Sequence, residues 1–137
     1  MTNELLVKAA KEASKKSYAP YSGYHVGSAV LGADGNIYNG CNFENISFSV
    51  SLCAERSAIA KMISAGCREF VEAVVCTQDF GTPCGACLQV FYEFVTDPSQ
   101  VKIHCFALNS NEIRTYLLSE LLPHGFHTEN VPKQLNK

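Results

Sequence analysis

The order of helical and strand patterns along the chain constrains its fold more than any other feature of the sequence. A helical pattern covers residues 3–17, and strand patterns rich in β-branched and aromatic side chains follow at residues 24–31 and 36–41. The Asp34-Gly35 pair between these two strands is typical of a β-hairpin turn. Further patterns predict helices over residues 53–65, 84–95 and 118–122, and strands over residues 70–77, 101–108 and 112–116.

This order predicts an α/β fold with a mixed sheet of about five strands, covered by helices on both faces. The turn at residues 109–111 is too short for a crossover helix, so the last two strands should be antiparallel. No repeat, linker or low-complexity segment interrupts the 137 residues. We therefore expect a single domain over residues 1–137.

Charge and hydropathy exclude two classes of partner. The chain has 11 Lys and Arg against 13 Asp and Glu, which argues against a protein that binds nucleic acid mainly by neutralising phosphates. No stretch approaches the roughly 18 uninterrupted apolar residues of a membrane-spanning helix. The first residues include Glu4 and Lys8 and lack the apolar core of a secretion signal. We therefore expect a cytoplasmic protein that binds neither nucleic acid nor membranes.

Two short cysteine motifs carry most of the chemical information. Cys53-Ala54-Glu55 and Pro83-Cys84-Gly85-Ala86-Cys87 each lie at the predicted start of a helix. Cys84 and Cys87 are three residues apart on one helix face and can bind one ion, to which Cys53 would add a third thiolate. Three protein ligands on a tetrahedral Zn²⁺ leave the fourth position open for water, which is typical of a catalytic site.

The residues after Cys53 fit such a site. The carboxylate of Glu55 can stand beside the water on the metal without coordinating, and there it can act as general acid and base. The combination of Cys-x-Glu with a later Pro-Cys-x-x-Cys is the pattern of zinc deaminases. Three thiolates would leave the zinc centre with net negative charge, which Arg56 could offset by donating hydrogen bonds to the sulfurs. The alternative for Arg56 is a surface arginine.

Other interpretations of the cysteines stay open at this point. A Cys-x-x-Cys pair alone could be a redox pair or half of a structural zinc site. A structural site of four thiolates needs a fourth ligand, and the remaining four cysteines are scattered singly. Cys76 and Cys105 lie in apolar strands and are expected in the core. Cys41 and Cys67 have no assigned role.

The chain resembles cytidine deaminases of the short, free-nucleoside type over nearly its whole length. The matching segments are Tyr18-Ala19-Pro20-Tyr21-Ser22, Val26-Gly27, Gly40-Cys41-Asn42-Phe43-Glu44-Asn45, Cys53-Ala54-Glu55-Arg56, Pro83-Cys84-Gly85-Ala86-Cys87-Leu88-Gln89-Val90 and Glu120-Leu121-Leu122-Pro123-His124-Gly125-Phe126. The resemblance implies a three-layer deaminase fold and hydrolysis of cytidine and deoxycytidine to uridine and deoxyuridine with release of ammonia, in pyrimidine salvage. It also implies one zinc ion per subunit and a homotetramer whose active sites are shared between subunits.

The resemblance assigns roles at the metal centre by position. Cys53, Cys84 and Cys87 match the zinc ligands of the family, and Glu55 matches its proton shuttle. In the implied mechanism, a zinc-activated hydroxide attacks C4 of the pyrimidine while Glu55 transfers protons.

The resemblance also assigns substrate contacts. Asn42 and Glu44 match the pair that hydrogen-bonds the ribose hydroxyls, and two residues apart on an extended segment they should project to the same side. Without the resemblance, these two residues could be a simple turn after a strand. The backbone around Ala54 is expected to contact the base edge. Phe126 resembles an aromatic residue that packs near the pyrimidine from another subunit, and Tyr24 stands where many members carry a substrate-contacting Phe.

Three positions depart from the usual pattern of the family. Tyr24 adds a hydroxyl that must find a hydrogen-bond partner. Leu88 replaces an Arg that is often found after the second motif cysteine. Phe48 replaces a Tyr that is common near the ribose site. These changes bear on substrate affinity and subunit contacts rather than on the reaction.

Rival functions differ in substrate. A deaminase for an aminonucleoside antibiotic such as blasticidin S shares the zinc motifs, but the Asn42-Phe43-Glu44 segment favours plain cytidine. A deaminase acting on polynucleotides is disfavoured by the net charge. A structural zinc module without catalysis is the third possibility. The four histidines show no ligand-like spacing and are expected to be surface or packing residues.

Overall fold

The computed structural model describes residues 4–127, and its elements follow the predicted order. The helices are α1 (Glu4–Ser14), α2 (Ala54–Ser64), α3 (Gly85–Glu93) and α4 (Leu118–Leu121), and the strands are β1 (Gly27–Gly32), β2 (Ile37–Cys41), β3 (Phe70–Thr77), β4 (Lys102–Ala107) and β5 (Ile113–Leu117). Two short 3₁₀ turns, Phe48–Val50 and Pro98–Gln100, had no counterpart in the prediction. The predicted start of the first helix, at residue 3, lies outside the described residues.

The five strands form one mixed sheet in the order β2-β1-β3-β4-β5. Strand β1 is antiparallel to β2 and to β3, whereas β3 and β4 are parallel and are connected through α3. Strands β4 and β5 are antiparallel. Both the mixed five-stranded sheet and its antiparallel last pair are therefore confirmed.

Helices cover both faces of this sheet, as predicted. Helix α1 packs on one face in an apolar cluster of Leu6, Ala10, Ala29, Val74, Cys76 and Phe106. Helices α2 and α3 pack on the other face, where the larger cluster includes Ala58, Met62, Phe91, Val30, Val75, Ile103 and Cys105. Cys76 and Cys105 are buried in these two clusters, which confirms that they are core residues.

Helix α1 differs from its prediction at both the face and the end. The helical pattern places Leu5 on one apolar face with Leu6, Ala9, Ala10 and Ala13, but Leu5 is 66% exposed and the buried residues are Leu6, Ala10, Ala13 and Ser14. The helix ends at Ser14 rather than at residue 17. Beyond it, the N–H of Tyr18 donates to the carbonyl of Asn42, so the chain leaves the helix to run beside the segment after β2.

A close contact fixes α1 against β1. A Cβ atom on Gly27 would lie 2.0 Å from the carbonyl oxygen of Ala10 and 2.5 Å from the backbone nitrogen of Ser14. Only glycine allows this approach without displacing the helix. The contact places the segment between α1 and β1, residues 15–26, at the end of the sheet where β3 also ends. Among the helices of residues 4–127, none has the length and apolar content needed to cross a membrane.

Candidate active site

The first turns of α2 and α3 bring three thiols together. Cys53 is the residue immediately before α2, Cys84 is the residue immediately before α3, and Cys87 lies in the first turn of α3. The three Sγ atoms all lie within 4.8 Å of one another. The Sγ atoms of Cys84 and Cys87 are 3.5 Å apart. The structure therefore places the three sequence-predicted metal ligands in one cluster.

Local backbone geometry explains why these thiols face each other. Cys53 and Cys84 both have extended backbone angles, and the carbonyl of each accepts the first hydrogen bond of its helix, from Ser57 and Leu88 respectively. Each thiol thus lies at a helix N-terminus, where unpaired N–H groups carry partial positive charge that stabilises a thiolate. Strand β3 and the loop after it, residues 78–83, connect α2 to α3 and place the start of α3 beside the start of α2.

The thiol cluster fits a tetrahedral, thiophilic metal ion. Zn–S bonds of about 2.3 Å at tetrahedral angles separate two sulfurs by about 3.8 Å, which agrees with the spacing of the cluster. A hydrogen bond from Cys87 and, after it, the Arg56 guanidinium outweigh the effect of burial and lower the pKa of the Cys53 thiol to about 5. Within residues 4–127, the group contains only these three candidate ligands and no fourth His, Asp or Glu. Three thiolates without a fourth side chain suit a catalytic rather than a structural zinc ion.

Glu55 is a buried carboxyl group beside the cluster. It lies in the first turn of α2 and is only 5% exposed. Burial, together with the negative charge of Cys53, outweighs the opposing effects of a backbone hydrogen bond and Arg56 and raises the pKa of this carboxyl to about 7. A carboxyl group that titrates near neutrality can both accept and donate a proton, as general acid-base catalysis requires.

Arg56 directs its charge at the same cluster. Its Nη2 atom lies 3.6 Å from the Sγ atom of Cys53. Its Nε atom is buried and has no hydrogen-bond partner among residues 4–127. The hydrogen bond to Cys53 raises the pKa of the guanidinium, so the side chain stays charged. This is the placement that the sequence hypothesis for Arg56 requires.

Asn42 is held by hydrogen bonds to the segment before β1. Its Oδ1 atom accepts from the N–H of Val26 at 3.0 Å and from the hydroxyl of Ser17. Its Nδ2 atom donates to the carbonyl of Tyr24 at 2.8 Å. The Nδ2 atom carries two N–H groups, and the one that does not bond to Tyr24 can donate to a ligand.

Glu44 contacts the same segment two residues further along. Its carboxylate accepts from the backbone N–H groups of Tyr21 and Ser22 at 2.9 and 3.1 Å, and from the hydroxyl of Ser22. These bonds, that of the Ser22 hydroxyl first, lower the pKa of the carboxyl. Both Glu44 and Asn42 therefore reach residues 17–26, as expected for two residues on one side of an extended segment.

The structure places the remaining substrate candidates in different surroundings. Ala54 is fully buried as the first residue of α2, and Tyr24 is half-buried against the core cluster that contains Ala54. Phe126 is 61% exposed, and its carbonyl accepts a hydrogen bond from Gln89 of α3 at 2.7 Å. Phe126 is therefore more exposed than Ala54 and Tyr24.

The departures from the family pattern also have clear locations. Leu88 is buried in the core, and Phe48 is 70% exposed with its ring 5.6 Å from that of Tyr21. The hydroxyl of Tyr24 donates to Asp79 at 2.7 Å, so the partner that this hydroxyl needs is present. Sequence reasoning missed Asp79. The available signal was an acidic residue in the short loop directly before Pro83-Cys84.

Among residues 4–127, no histidine belongs to the group of side chains that could hold a metal ion. His104 is 3% exposed and packs inside the sheet region, where its ring nitrogens contact Glu72 and Thr115.

Comparison with known proteins agrees with this geometry. Residues 1–105 match the family model described as the cytidine and deoxycytidylate deaminase zinc-binding region. The chain belongs to this deaminase family. The match includes both cysteine motifs, so the family resemblance read from the sequence is confirmed.

Relatives of this deaminase span nearly its full length. A cytidine deaminase from Sporosarcina psychrophila is 38% identical over 133 residues, covering 96% of each chain. One from Mycobacterium tuberculosis is 34% identical over 128 residues, covering 91% of this chain and 90% of the relative. The crystal structure of a cytidine deaminase from Burkholderia pseudomallei superposes with a TM-score of 0.83 at 38% identity, covering 92% of this chain and 100% of the other. The expected three-layer deaminase fold is therefore confirmed.

Proposed function

We propose that this deaminase hydrolyses cytidine and deoxycytidine to uridine and deoxyuridine with release of ammonia. The observation that carries the proposal is the buried carboxyl of Glu55 beside the three clustered thiols. Relatives of similar length and 34–38% identity bear the name cytidine deaminase, which supports the same substrate class. The reaction places the protein in pyrimidine salvage, and we expect it to act in the cytoplasm.

Cys53, Cys84 and Cys87 would hold one Zn²⁺ per subunit. When bound, Zn²⁺ supplies Lewis-acid activation of water, which lowers the pKa of that water toward neutrality. The three thiols contribute the soft ligands that zinc prefers, and the helix N-termini behind them stabilise their charge. Arg56 donates toward Cys53 and offsets part of the negative charge.

Glu55 moves the protons of the reaction. Its carboxylate takes a proton from the attacking water and delivers it to N3 of the pyrimidine as the oxygen bonds to C4. It then carries the second proton of the water to the amino nitrogen, and the C4–N bond breaks to release ammonia. Water supplies the oxygen and both transferred protons, so no other reactant is needed. A buried carboxyl that titrates near pH 7 suits both steps.

Substrate recognition would use residues at the edges of this site. The backbone at Ala54 would hydrogen-bond the edge of the base, and the ring of Tyr24 would pack near the pyrimidine. The half-buried carboxylate of Glu44 retains acceptor capacity for a ribose hydroxyl, while the second N–H of the Asn42 amide can donate to a ribose oxygen. Sites that hydrogen-bond a sugar in this way reject a bare base, because without the sugar the polar groups of the site are left unpaired.

Exposed apolar side chains support a homotetramer with shared active sites. Ile46 is 80% exposed, Phe48 70%, Val50 59% and Phe126 61%. Large apolar side chains with this much exposure are typical of surfaces that another protein covers. We propose that the segment around residues 46–50 packs against neighbouring subunits, and that Phe126 reaches the pyrimidine site of a neighbour.

The direct test is the loss of cytidine absorbance with purified, zinc-loaded protein, before and after treatment with a chelator. The panel should include deoxycytidine, cytosine, a polynucleotide and blasticidin S as substrates. We expect chelator-sensitive turnover of cytidine and deoxycytidine. Turnover of blasticidin S alone would redirect the proposal to an aminonucleoside, and fully zinc-loaded protein that deaminates none of the panel would leave a structural zinc module.

A further inference from the structure

Tyr24 and Asp79 form a hydrogen bond across the edge of the proposed pyrimidine site. The Tyr24 hydroxyl donates to Oδ1 of Asp79 at 2.7 Å, although the two residues are 55 positions apart in the chain. The ring of Tyr24 packs against the core cluster that includes Ala54 and Leu88. The hydroxyl end therefore projects toward the loop of residues 78–83, and Asp79 is the acceptor that it meets there.

The loop itself is held in place around this contact. The Oγ1 atom of Thr77, at the end of β3, accepts from the N–H groups of Asp79 at 3.3 Å and Gly81 at 2.8 Å. A Cβ atom on Gly81 would lie 2.5 Å from the Tyr24 hydroxyl oxygen, so the loop backbone packs directly against that hydroxyl. The same loop leads into Pro83 and the thiol of Cys84.

Two hydroxyl groups hold the Asp79 carboxylate: that of Tyr24 donates to Oδ1 at 2.7 Å, and that of Thr77 donates to the same atom at 3.4 Å. Asp79 is exposed, and an exposed carboxylate-hydroxyl hydrogen bond adds only a small amount to the free energy of unfolding. Its larger effect is geometric. It fixes the direction of the half-buried Tyr24 ring, and it ties the segment that carries this ring to the loop that leads to Cys84.

We propose that Asp79 is a positioning residue for the deamination, which orients the Tyr24 ring against the pyrimidine and acts through the Tyr24 hydroxyl. The inference rests on the proposed function, and it assigns a role to a side chain outside the deaminase motifs. A correctly oriented ring would contribute to binding of the base in the ground state and in the transition state alike. Loss of Asp79 should therefore raise KM and leave kcat nearly unchanged.

The test is a double-mutant cycle on zinc-loaded protein with cytidine as substrate. Asp79→Ala should raise KM about fivefold, which corresponds to about 1 kcal/mol, with zinc content and kcat preserved. Tyr24→Phe should raise KM to a similar extent, and the double variant should be no worse than either single variant. Asp79→Asn keeps an oxygen acceptor and should restore most of the affinity.

The chain offers a matched control at the opposite end of the sheet. Asp34, in the hairpin between β1 and β2, is also exposed and also accepts a hydrogen bond from a tyrosine hydroxyl, that of Tyr38. Asp34→Ala should leave KM for cytidine unchanged. A rise in KM for this variant equal to that for Asp79→Ala would show a general loss of structure and overturn the positioning role.

Two further results would contradict the inference. One is an unchanged KM in Asp79→Ala, and the other is a full additional loss when Asp79→Ala is made in the Tyr24→Phe protein. Calorimetric titration of cytidine into the Glu55→Gln protein gives the same comparison without turnover. Wild-type protein that neither binds nor deaminates cytidine would overturn the proposed function together with this role. An active wild type whose KM for cytidine is unchanged in the Asp79→Ala variant would overturn the positioning role alone.

Discussion

The Nη2 atom of Arg56 lies 3.6 Å from the Sγ atom of Cys53, so a guanidinium faces the thiol cluster across one turn of α2. Three thiolates around Zn²⁺ carry a net negative charge, which makes activated water less acidic than a site with neutral ligands would. A cation that hydrogen-bonds a ligand sulfur offsets this charge and keeps the ligand ionised. The spacing of Cys53 and Arg56, three residues apart on one helix face, places the two groups together.

Arg56→Ala should therefore lower turnover, zinc content or both, because the thiolates lose the cation that balances them. Metal analysis and cytidine deamination assays at saturating zinc separate the two effects. Arg68→Ala is a matched control, since Arg68 is exposed and lies beyond α2, away from the thiols. Unchanged activity and metal content in Arg56→Ala would refute the assignment.

Glu55→Gln should keep the fold and the zinc ion but lose turnover by several orders of magnitude. The amide preserves the size of the side chain and removes its ability to carry a proton. Turnover, zinc content and circular dichroism of the purified variant check the prediction together. Retained turnover in a variant with full zinc content would show that another group carries the protons.

Cys84→Ser should remove most of the bound zinc, because a hydroxyl is a poor replacement for one of only three thiolate ligands. The choice of Cys84 limits damage to the fold, since this thiol is exposed whereas Cys87 is buried. Cys41→Ser is the matched control, because Cys41 is a free thiol outside the cluster. We expect zinc content near one ion per subunit in the control and near zero in Cys84→Ser, and equal content in the two would contradict the ligand assignment.

The sequence predicted buried elements better than it predicted segments whose hydrogen bonds go to side chains. Strand β3 was predicted with the bounds that the structure has, Phe70–Thr77. The reason is that a short apolar run rich in β-branched residues indicates a buried strand. The strand predicted over residues 24–31 begins only at Gly27. The reason is that Val26 donates its N–H to the side chain of Asn42 instead of to a neighbouring strand.

The candidate site shows the same division. The thiols could be predicted to meet because local rules place Cys53 and Cys84 at helix starts, and helices packed on one face of a sheet bring those starts together. The acceptor for the Tyr24 hydroxyl could not be predicted, because Asp79 lies 55 residues away and reaches it through a loop without a regular pattern. Contacts between two irregular segments depend on the packing of everything between them.

Gly27→Ala should destabilise the protein by about 3 kcal/mol, because the added methyl group meets backbone atoms that have no rotamer to relieve the clash. A Cβ at this position would lie 2.0 Å from the Ala10 carbonyl oxygen, so either α1 or β1 must shift. Urea unfolding of zinc-loaded protein measures the effect as a lower midpoint with an unchanged slope.

Gly85→Ala is the matched control, since a Cβ there would meet no atom within 4 Å and alanine favours the first turn of α3. Equal stability of the two variants would contradict the close packing of α1 on β1. A loss of stability confined to Gly27→Ala would show that this contact fixes α1. The end of α1 leads into the segment that Asn42 and Glu44 hydrogen-bond.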